Sequence, residues 1–219
     1  MNVEQARTNM IEQQLRPWGV LNQTILDILN NVPRERFVPP QWEKLAFAEV
    51  SIPIGHEQVM MTPGIEARML QALAIKPQDL CLEIGTGTGF ITACMAQLGR
   101  EVDSIELYED LSREAKRRLN YLSVRNVNLS VGDILQDWQK FQTPQYDVIA
   151  VTASMPRPLP ELEQQLVIGG RMFAVIGARY PMQAWLITRE AQDEFERQLL
   201  WETDLPPLVG FSKEATFEF

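Results

Sequence analysis

The chain has 219 residues, of which 45% are hydrophobic, and these values are typical of a globular domain with an ample core. It has 29 acidic against 20 basic side chains, a formal net charge of −9, which disfavours DNA or RNA as a partner. We expect neither an export signal nor a membrane span, because no apolar run is long enough. Cys81 and Cys94 are expected to be reduced and buried, as in a cytoplasmic protein.

Residues 1–76 are predicted to form an N-terminal helical cap that includes the substrate-side segment. Their apolar periodicity predicts three helices, over residues 3–15, 22–31 and 65–74. The segment 53–63, PIGHEQVMMTP, lies before the third helix and contains the only histidine of the chain. We expect this part to join the following sheet in one domain, 1–219, because it shows no strand–helix alternation of its own.

From residue 77 to residue 219, strand-like apolar runs alternate with helix-like segments. Four strands are predicted, over residues 79–84, 101–107, 126–131 and 146–151. Three helices are predicted between or after them, over residues 90–98, 110–122 and 159–166. Short, almost wholly apolar strands separated by helices are typical of a parallel sheet that is covered on both faces and doubly wound.

The end of the sheet is predicted to be antiparallel. Residues 169–177 and 183–190 are strand-like and separated by a short turn, and one further strand is predicted within 198–210. Strands joined by short loops must pair antiparallel, because a parallel return needs a longer crossover. The predicted fold class is therefore α/β: a doubly wound, mostly parallel sheet with antiparallel edge strands and an N-terminal helical cap, with residues 77–219 binding the cofactor.

A glycine-rich loop, LEIGTGTGF (82–90), follows the first strand of this sheet and opens a helix. Gly85, Gly87 and Gly89 permit a tight turn and a close approach of the backbone to a ligand. Glu106 ends the next strand, 21 positions after Gly85, near the ~20-residue offset of a carboxylate that binds ribose hydroxyls. A glycine repeat alone is a weak signal, but this strand–loop–helix–strand context predicts a nucleoside site.

Two classes of nucleoside cofactor fit such a site. A dinucleotide loop has the spacing G-x-G-x-x-G, whereas this loop is G-x-G-x-G and follows Glu83, which suits an amine-bearing ligand better than a pyrophosphate. Asp133, after the third strand, fits either an acceptor for an adenine amine or a plain turn and helix cap. With Thr86, Leu107 and Ile134 as neighbours in the same site, these residues favour S-adenosylmethionine and a methyltransferase.

At this point the chain resembles the protein-L-isoaspartate O-methyltransferase family over nearly its whole length. VPRERFVPPQWEKLAFAEVSIPIG is similar to the N-terminal region of the family, LEIGTGTGF to its cofactor loop, QLVIGGRMFAVIG to its late strand pair and DLPPLVG to a segment that helps close over the substrate. The resemblance implies a seven-stranded sheet and S-adenosylmethionine as the methyl donor. It also implies methylation of the free carboxylate of isoaspartyl residues in damaged proteins or peptides.

The resemblance further assigns roles to individual residues. The family's cofactor loop, ribose carboxylate and adenine-side acid are matched by Glu83, Gly85, Gly87, Gly89, Glu106 and Asp133. The match breaks in segment 53–63, where the family pattern resembles P-I-G-x-G-Q-T-I-S-x-P. Its active-site serine position is Met61 and its threonine position is Val59, while Thr62 adds a hydroxyl next to them. Met61 and Thr62 are therefore the candidate catalytic residues.

Segment 53–63 has three interpretations. A soft-metal site is disfavoured, because His56 and Glu57 would point to opposite sides of an extended chain and thioethers select only soft ions. No metal is therefore expected. The segment is otherwise either apolar core or a substrate wall that faces the methyl donor, and we favour the wall.

Three functions are compatible with these features. The first is an isoaspartyl carboxyl methyltransferase in which Thr62 or a backbone amide replaces the missing hydroxyl. The second is a methyltransferase of the same fold with another acceptor, such as a small molecule. The third is a protein that binds S-adenosylmethionine without catalysis and works through a partner. The intact cofactor residues are common to all three functions and do not separate them.

Overall fold

The computed structural model describes residues 2–137, 140 and 145–211. Its strands are β1 (Ile52–Gly55), β2 (Gln58–Met60), β3 (Leu80–Ile84), β4 (Glu101–Glu106), β5 (Val127–Val131), β6 (Tyr146–Met155), β7 (Leu166–Ile176), β8 (Met182–Ala191) and β9 (Glu194–Thr203). Its helices are α1 (Val3–Met10), α2 (Gln23–Asn31), α3 (Pro63–Leu73), α4 (Phe90–Leu98), α5 (Glu109–Tyr121) and α6 (Pro160–Glu163).

Seven strands form one central sheet in the order β5–β4–β3–β6–β7–β8–β9. The strands from β3 to β7 are parallel, and β8 and β9 continue the sheet with antiparallel pairing. All five residues of β3 are buried, as expected for a central parallel strand covered on both faces. The predicted fold class, a mostly parallel α/β sheet with antiparallel edge strands, is confirmed.

The N-terminal helices share their core with the sheet. A single cluster of buried apolar side chains includes Met10 and Leu29 from the cap, Leu70 from α3, and Cys81 and Val148 from the sheet. Because these side chains exclude water together, the cap and the sheet stabilise each other. Within the residues that the structure describes, no helix is both long enough and apolar enough to cross a bilayer.

Several predicted elements differ in extent from those observed. The last strand, predicted within 198–210, is β9 and already begins at Glu194, and the strand predicted over 169–177 begins at Leu166. The helix predicted over 3–15 is α-helical to Met10 and continues as a π-helical turn, Ile11–Leu15. The helix predicted over 159–166 is reduced to α6, because Leu166 already belongs to β7. The strand predicted over 146–151 continues to Met155, since its last residues still pair with β7.

Segment 53–63 contains a hairpin that the sequence pattern does not predict. β1 and β2 pair antiparallel and are joined by a two-residue turn, His56–Glu57, with φ angles of +51° and +58°. A tight hairpin turn of this kind requires positive φ at both residues to match the twist of the strands. The expectation that His56 and Glu57 lie on opposite sides of an extended chain is therefore wrong.

Candidate active site

A cleft opens at the carboxyl ends of β3 and β6. The chain proceeds from β3 to β4 and β5 on one side and then places β6 on the other side of β3. Open α/β sheets bind ligands at such a switch point, because the connections diverge there and leave a crevice.

The cleft has two adjoining lobes. Residues of the outer lobe include Gln58, Glu106, Leu107, Tyr108, Asp133 and Ile134. Residues of the inner lobe include Met61, Glu66, Glu83, Thr86, Thr88 and Phe90. Both lobes share Ile54, Val59, Gly85, Gly87 and Thr152.

The glycine-rich loop forms the junction between the lobes. Gly85 and Gly87 have φ angles of +95° and +52°, which residues other than glycine rarely adopt. A Cβ atom on Gly85 would lie 2.5 Å from the Thr152 hydroxyl, and one on Gly87 would lie 3.3 Å from Cδ1 of Ile54. The loop therefore needs glycine both for its conformation and for the narrow space between it and the β1–β2 hairpin.

Gly89 and Thr86, the other predicted cofactor residues of this loop, differ in position from each other. Gly89 is the N-cap of α4, and a Cβ there would lie 3.1 Å from Cβ of Ala115 on α5. Its part is thus close packing between helices, and it is not among the residues that line either lobe. Thr86 lines the inner lobe, where its hydroxyl lies 2.6 Å from the Ser104 hydroxyl.

Glu106 connects the end of β4 to the glycine loop. Its carboxylate accepts hydrogen bonds from the backbone N–H groups of Gly87, at 2.7 Å, and Tyr108, at 3.1 Å. The side chain is buried at the wall of the outer lobe. Because each carboxylate oxygen has two lone pairs, both oxygens can accept a further hydrogen bond from a ligand. Glu106 is thus a buried carboxylate with acceptor capacity at the wall of the outer lobe, and its binding to a ribose stays a prediction.

Asp133 and Ile134 line the outer lobe together with Gly85 and Gly87. One oxygen of Asp133 accepts from the backbone N–H of Leu135 at 2.8 Å, which stabilises the turn after β5. The turn and the ligand-binding interpretation of Asp133 are therefore compatible, since a carboxylate has a second oxygen and the residue also lines the lobe. Leu107 and Ile134 supply apolar walls to the same lobe.

Glu83 is a buried carboxylate at the inner lobe with an unsatisfied oxygen. Its Oε2 accepts from the hydroxyls of Thr92 and Ser104 at 2.5 and 2.6 Å. Its Oε1 is buried without a hydrogen-bond partner among the described residues. Burial raises the pKa of Glu83 to about 8, against the lowering effect of the two hydroxyls. A buried acceptor that lacks a partner is costly unless a ligand supplies a donor, so this position fits the amine of a ligand.

Below the inner lobe, Arg34 is a fully buried guanidinium, with 1% of its surface exposed. Its Nε donates to Oε2 of Glu66 at 2.8 Å, and another nitrogen donates to the backbone carbonyl of Met61 at 2.7 Å. A third donates to the carbonyl of Ala46. Burial raises the pKa of Glu66, and the positive charge of Arg34 opposes this shift. Arg34 therefore holds the backbone of segment 53–63 against α3.

Sequence reasoning did not identify Arg34 and Glu66, because charged side chains are usually exposed. One signal was available in α3. Glu66 falls on the buried stripe of this helix together with Met69, Leu70 and Leu73. A carboxylate at an otherwise apolar helical position indicates a buried partner of opposite charge.

Met61 lines the inner lobe, and only 4% of its surface is exposed. Thr62 is the N-cap of α3, and its hydroxyl accepts from the N–H of Ile65 at 3.5 Å. Val59 lines both lobes. Met61 and Val59, which stand where the family pattern has hydroxyls, thus both line the cleft, whereas the Thr62 hydroxyl caps α3.

Comparisons with known proteins show the family of the chain. A sequence model of the family described as Protein-L-isoaspartate(D-aspartate) O-methyltransferase (PCMT) matches residues 5–213. The chain belongs to this family. The protein-L-isoaspartate O-methyltransferase of Gloeobacter violaceus is 40% identical to it over 200 residues, covering 91% of this chain and 97% of the relative. The protein-L-isoaspartate O-methyltransferase of Protochlamydia amoebophila is 38% identical over 202 residues, covering 92% of this chain and 95% of the relative.

Solved structures of family members have the same fold. A protein-L-isoaspartate O-methyltransferase from Plasmodium falciparum, in complex with S-adenosyl-L-homocysteine, superposes with a TM-score of 0.80 at 19% identity, covering 98% of this chain and all of that one. A second protein-L-isoaspartate O-methyltransferase gives a TM-score of 0.77 at 24% identity, covering 93% and 66%. The family and the fold expected from the sequence are thus confirmed, and with them the class of S-adenosylmethionine-dependent methyltransferase. The roles of individual residues stay predictions.

Glu106→Ala is expected to weaken the binding of S-adenosylhomocysteine at least about tenfold, because it removes charge-assisted hydrogen bonds to the ligand, each worth roughly 1.5–3 kcal/mol. Isothermal titration calorimetry measures this affinity. Glu101→Ala is the matched control, since Glu101 is a carboxylate on the same strand that bonds to Asn128 outside the cleft. Equal affinities of the two variants would contradict the assignment of Glu106 to the ribose.

Proposed function

We propose that this protein transfers a methyl group from S-adenosylmethionine to the free carboxylate of isoaspartyl residues in damaged proteins. The observation that carries the proposal is the position of segment 53–63 in the cleft; by resemblance this segment corresponds to the family's active-site segment, although Met61 and Val59 depart from the family pattern. Its residues Ile54 and Val59 line the same two lobes as Gly85 and Gly87 of the cofactor loop. A carboxylate that enters along this segment would therefore meet the cofactor within one cleft.

The residues of the cleft fit the cofactor in charge and in hydrogen bonding. Glu106 and Asp133 would hold the ribose and the adenine in the outer lobe. The unsatisfied Oε1 of Glu83 would accept from the amine in the inner lobe. The cleft thus offers acceptors rather than cations, which suits a ligand with an ammonium group and no phosphate. When bound, the cofactor supplies a methyl group on a positively charged sulfur.

The protein has little chemistry to perform on the acceptor itself. A free carboxylate is already ionised near neutral pH, since carboxyl pKa values lie near ~4, so no general base is needed. The cleft must instead align the carboxylate and exclude water, effects worth up to about 7–11 kcal/mol in well-oriented systems. Arg34 contributes to alignment by fixing the carbonyl of Met61, and the apolar side chains of Met61 and Val59 exclude water.

Met61→Ser is expected to raise the turnover of an isoaspartyl peptide about tenfold, because one hydrogen bond to a charged acceptor contributes roughly 1.5–3 kcal/mol. Transfer of a radiolabelled methyl group from S-adenosylmethionine measures this rate. Met61→Ala is the matched control, since it opens the same space without adding a donor. An equal rise in turnover for Met61→Ser and Met61→Ala would show that the larger space in the inner lobe, and not the new hydroxyl, causes the effect. No change in either would mean that Met61 is only core.

A methyltransferase with a less polar acceptor is the second candidate. Two apolar residues, Met61 and Val59, line the inner lobe where the family pattern has hydroxyls. For such an acceptor, Met61→Ser would lower the native rate, because it would place an unpaired hydroxyl in an apolar wall. The same variant therefore distinguishes the two candidates by the sign of its effect.

The proposed function is tested directly with a pair of peptides that differ in one linkage. Wild-type protein and labelled S-adenosylmethionine are incubated with an isoaspartyl peptide and with its normal aspartyl twin. We expect label in the isoaspartyl peptide alone, as an ester that mild alkali hydrolyses. Equal labelling of both peptides, or of neither, would overturn the proposal.

We also propose that the chain acts as one domain in the cytoplasm, without nucleic-acid or membrane partners. The shared core of cap and sheet supports a single domain. Cys81 and Cys94 are both buried free thiols, which suits a reducing compartment. The net charge of −9 supports the absence of a nucleic-acid partner.

A further inference from the structure

The turn of the β1–β2 hairpin contacts the N-terminal end of α5. The imidazole of His56 stacks on the ring of Tyr108, with centroids 3.9 Å apart and planes at 8°. Its Nε2 lies 2.9 and 3.0 Å from the two carboxylate oxygens of Asp110. One side chain of the hairpin thus makes both an aromatic and a polar contact with the segment that follows β4.

These contacts join two segments that line the outer lobe. The hairpin supplies Ile54, Gln58 and Val59 to the outer lobe, and the segment after β4 supplies Glu106, Leu107 and Tyr108. His56 bridges the two segments outside the lobe, since it is not among the lining residues. The hairpin therefore forms part of the wall of the proposed cofactor site, and His56 connects that wall to the start of α5.

Two backbone features of the hairpin favour its movement when the contacts of His56 break. Its turn has two non-glycine residues in the left-handed region, His56 and Glu57, a conformation that persists only where surrounding contacts hold it. Gly55 precedes them with φ +105° and has open space around its Cβ position. Glycine absorbs changes in backbone angles readily, so the strand can bend there.

We propose that His56 is a positioning residue that latches the β1–β2 hairpin against Tyr108 and Asp110 and thereby slows the release of the bound nucleoside. The latch is weak enough to open at each turnover, because the side chains of His56 and Asp110 are 38% and 54% exposed and such contacts compete with water. Its failure would shorten the residence of the ligand while leaving the hydrogen bonds inside the lobe intact.

This inference rests on the proposed function, since it requires the cleft to bind S-adenosylmethionine and its demethylated product. The test is the dissociation rate of S-adenosylhomocysteine from the intact protein, measured by stopped-flow displacement. His56→Asn is the first variant, because asparagine tolerates positive φ and preserves the turn while it removes the imidazole. Asp110→Ala removes the polar partner from the other side. Glu109→Ala is the control, as Glu109 is the neighbouring exposed carboxylate in the same helical turn.

We expect His56→Asn to increase the dissociation rate about fivefold and Asp110→Ala about threefold, as for the loss of weak exposed contacts. The double variant should be no faster than His56→Asn alone, because both changes break one interaction. Amide hydrogen exchange of residues 54–59 in the ligand-free protein should increase in the same variants. Glu109→Ala should match the wild type in both measurements.

Three outcomes would overturn the latch. The first is an unchanged dissociation rate in His56→Asn, and the second is a double variant in which the two effects multiply. The third is a faster rate in Glu109→Ala equal to that in Asp110→Ala, which would indicate a general effect of charge. Failure of the wild-type protein to bind S-adenosylhomocysteine would instead overturn the proposed function, so the two failures are distinct.

Discussion

Gly87→Val should reduce the affinity for S-adenosylhomocysteine by more than about 100-fold, which corresponds to roughly 3 kcal/mol. Gly87 borders both lobes of the cleft at φ +52°, and its backbone N–H donates to Glu106. A branched side chain there would start 3.3 Å from Cδ1 of Ile54 and fill the junction between the lobes. It would also strain the loop by about 1–3 kcal/mol, because valine avoids positive φ. Calorimetric titration measures the loss.

Gly169→Val is the matched control for this variant. Gly169 has a similar φ of +83° and open space around its Cβ position, and it lies in β7 outside the lining of both lobes. It therefore introduces the same kind of backbone strain without blocking the cleft. A folded Gly87→Val protein with normal affinity would show that the glycine loop is a structural turn and not a ligand site.

Arg34→Met should lower the free energy of unfolding by about 3–5 kcal/mol, the range for breaking a buried ion pair by removing one partner. Arg34 and Glu66 are each 1% exposed, so the remaining carboxylate would stay buried without its counter-charge. The carbonyls of Ala46 and Met61 would lose donors as well. Urea denaturation followed by circular dichroism measures the change in stability.

Two further proteins make this measurement specific. In Arg34→Met/Glu66→Gln the buried charge is absent, so part of the lost stability should return. Arg117→Met removes an arginine from an exposed pair with Glu114 and should change stability by less than about 1 kcal/mol. If Arg34→Met were no more destabilising than Arg117→Met, the buried pair would not support the acceptor segment.

The cofactor loop could be predicted from the sequence because its signals are local. A strand, a turn that needs positive φ and a helix occupy consecutive residues, and Glu106 follows at a fixed offset set by one βαβ unit. The structure adds a reason for Gly89 that is not local. Its Cβ position faces Ala115 on α5, so close helix packing also favours glycine there.

The acceptor side could be predicted only in part. The departure of Met61 and Val59 from the family pattern is visible in sequence, but not the engagement of Thr62 in the cap of α3. The hairpin was missed because His56–Glu57 lacks the glycine and asparagine that mark tight turns. In the structure this turn is closed by the pairing of β1 with β2 and contacts Tyr108 and Asp110, which no local pattern indicates.

By itself, the sequence determined the family through its motifs and the chain order of the elements of the seven-stranded sheet through periodicity. It also located the glycine-rich loop between β3 and α4, because that signal lies in neighbouring residues. Only the tertiary structure decided how the acceptor segment is held. Arg34 and Glu66 are 32 positions apart and His56 and Asp110 are 54 apart, so no local pattern links them. Such pairs form because packing of the whole core brings distant segments together. A buried charge such as that of Arg34 is then stabilised only by a partner of opposite charge nearby, and the exposed ring of His56 contacts the side chains beside it.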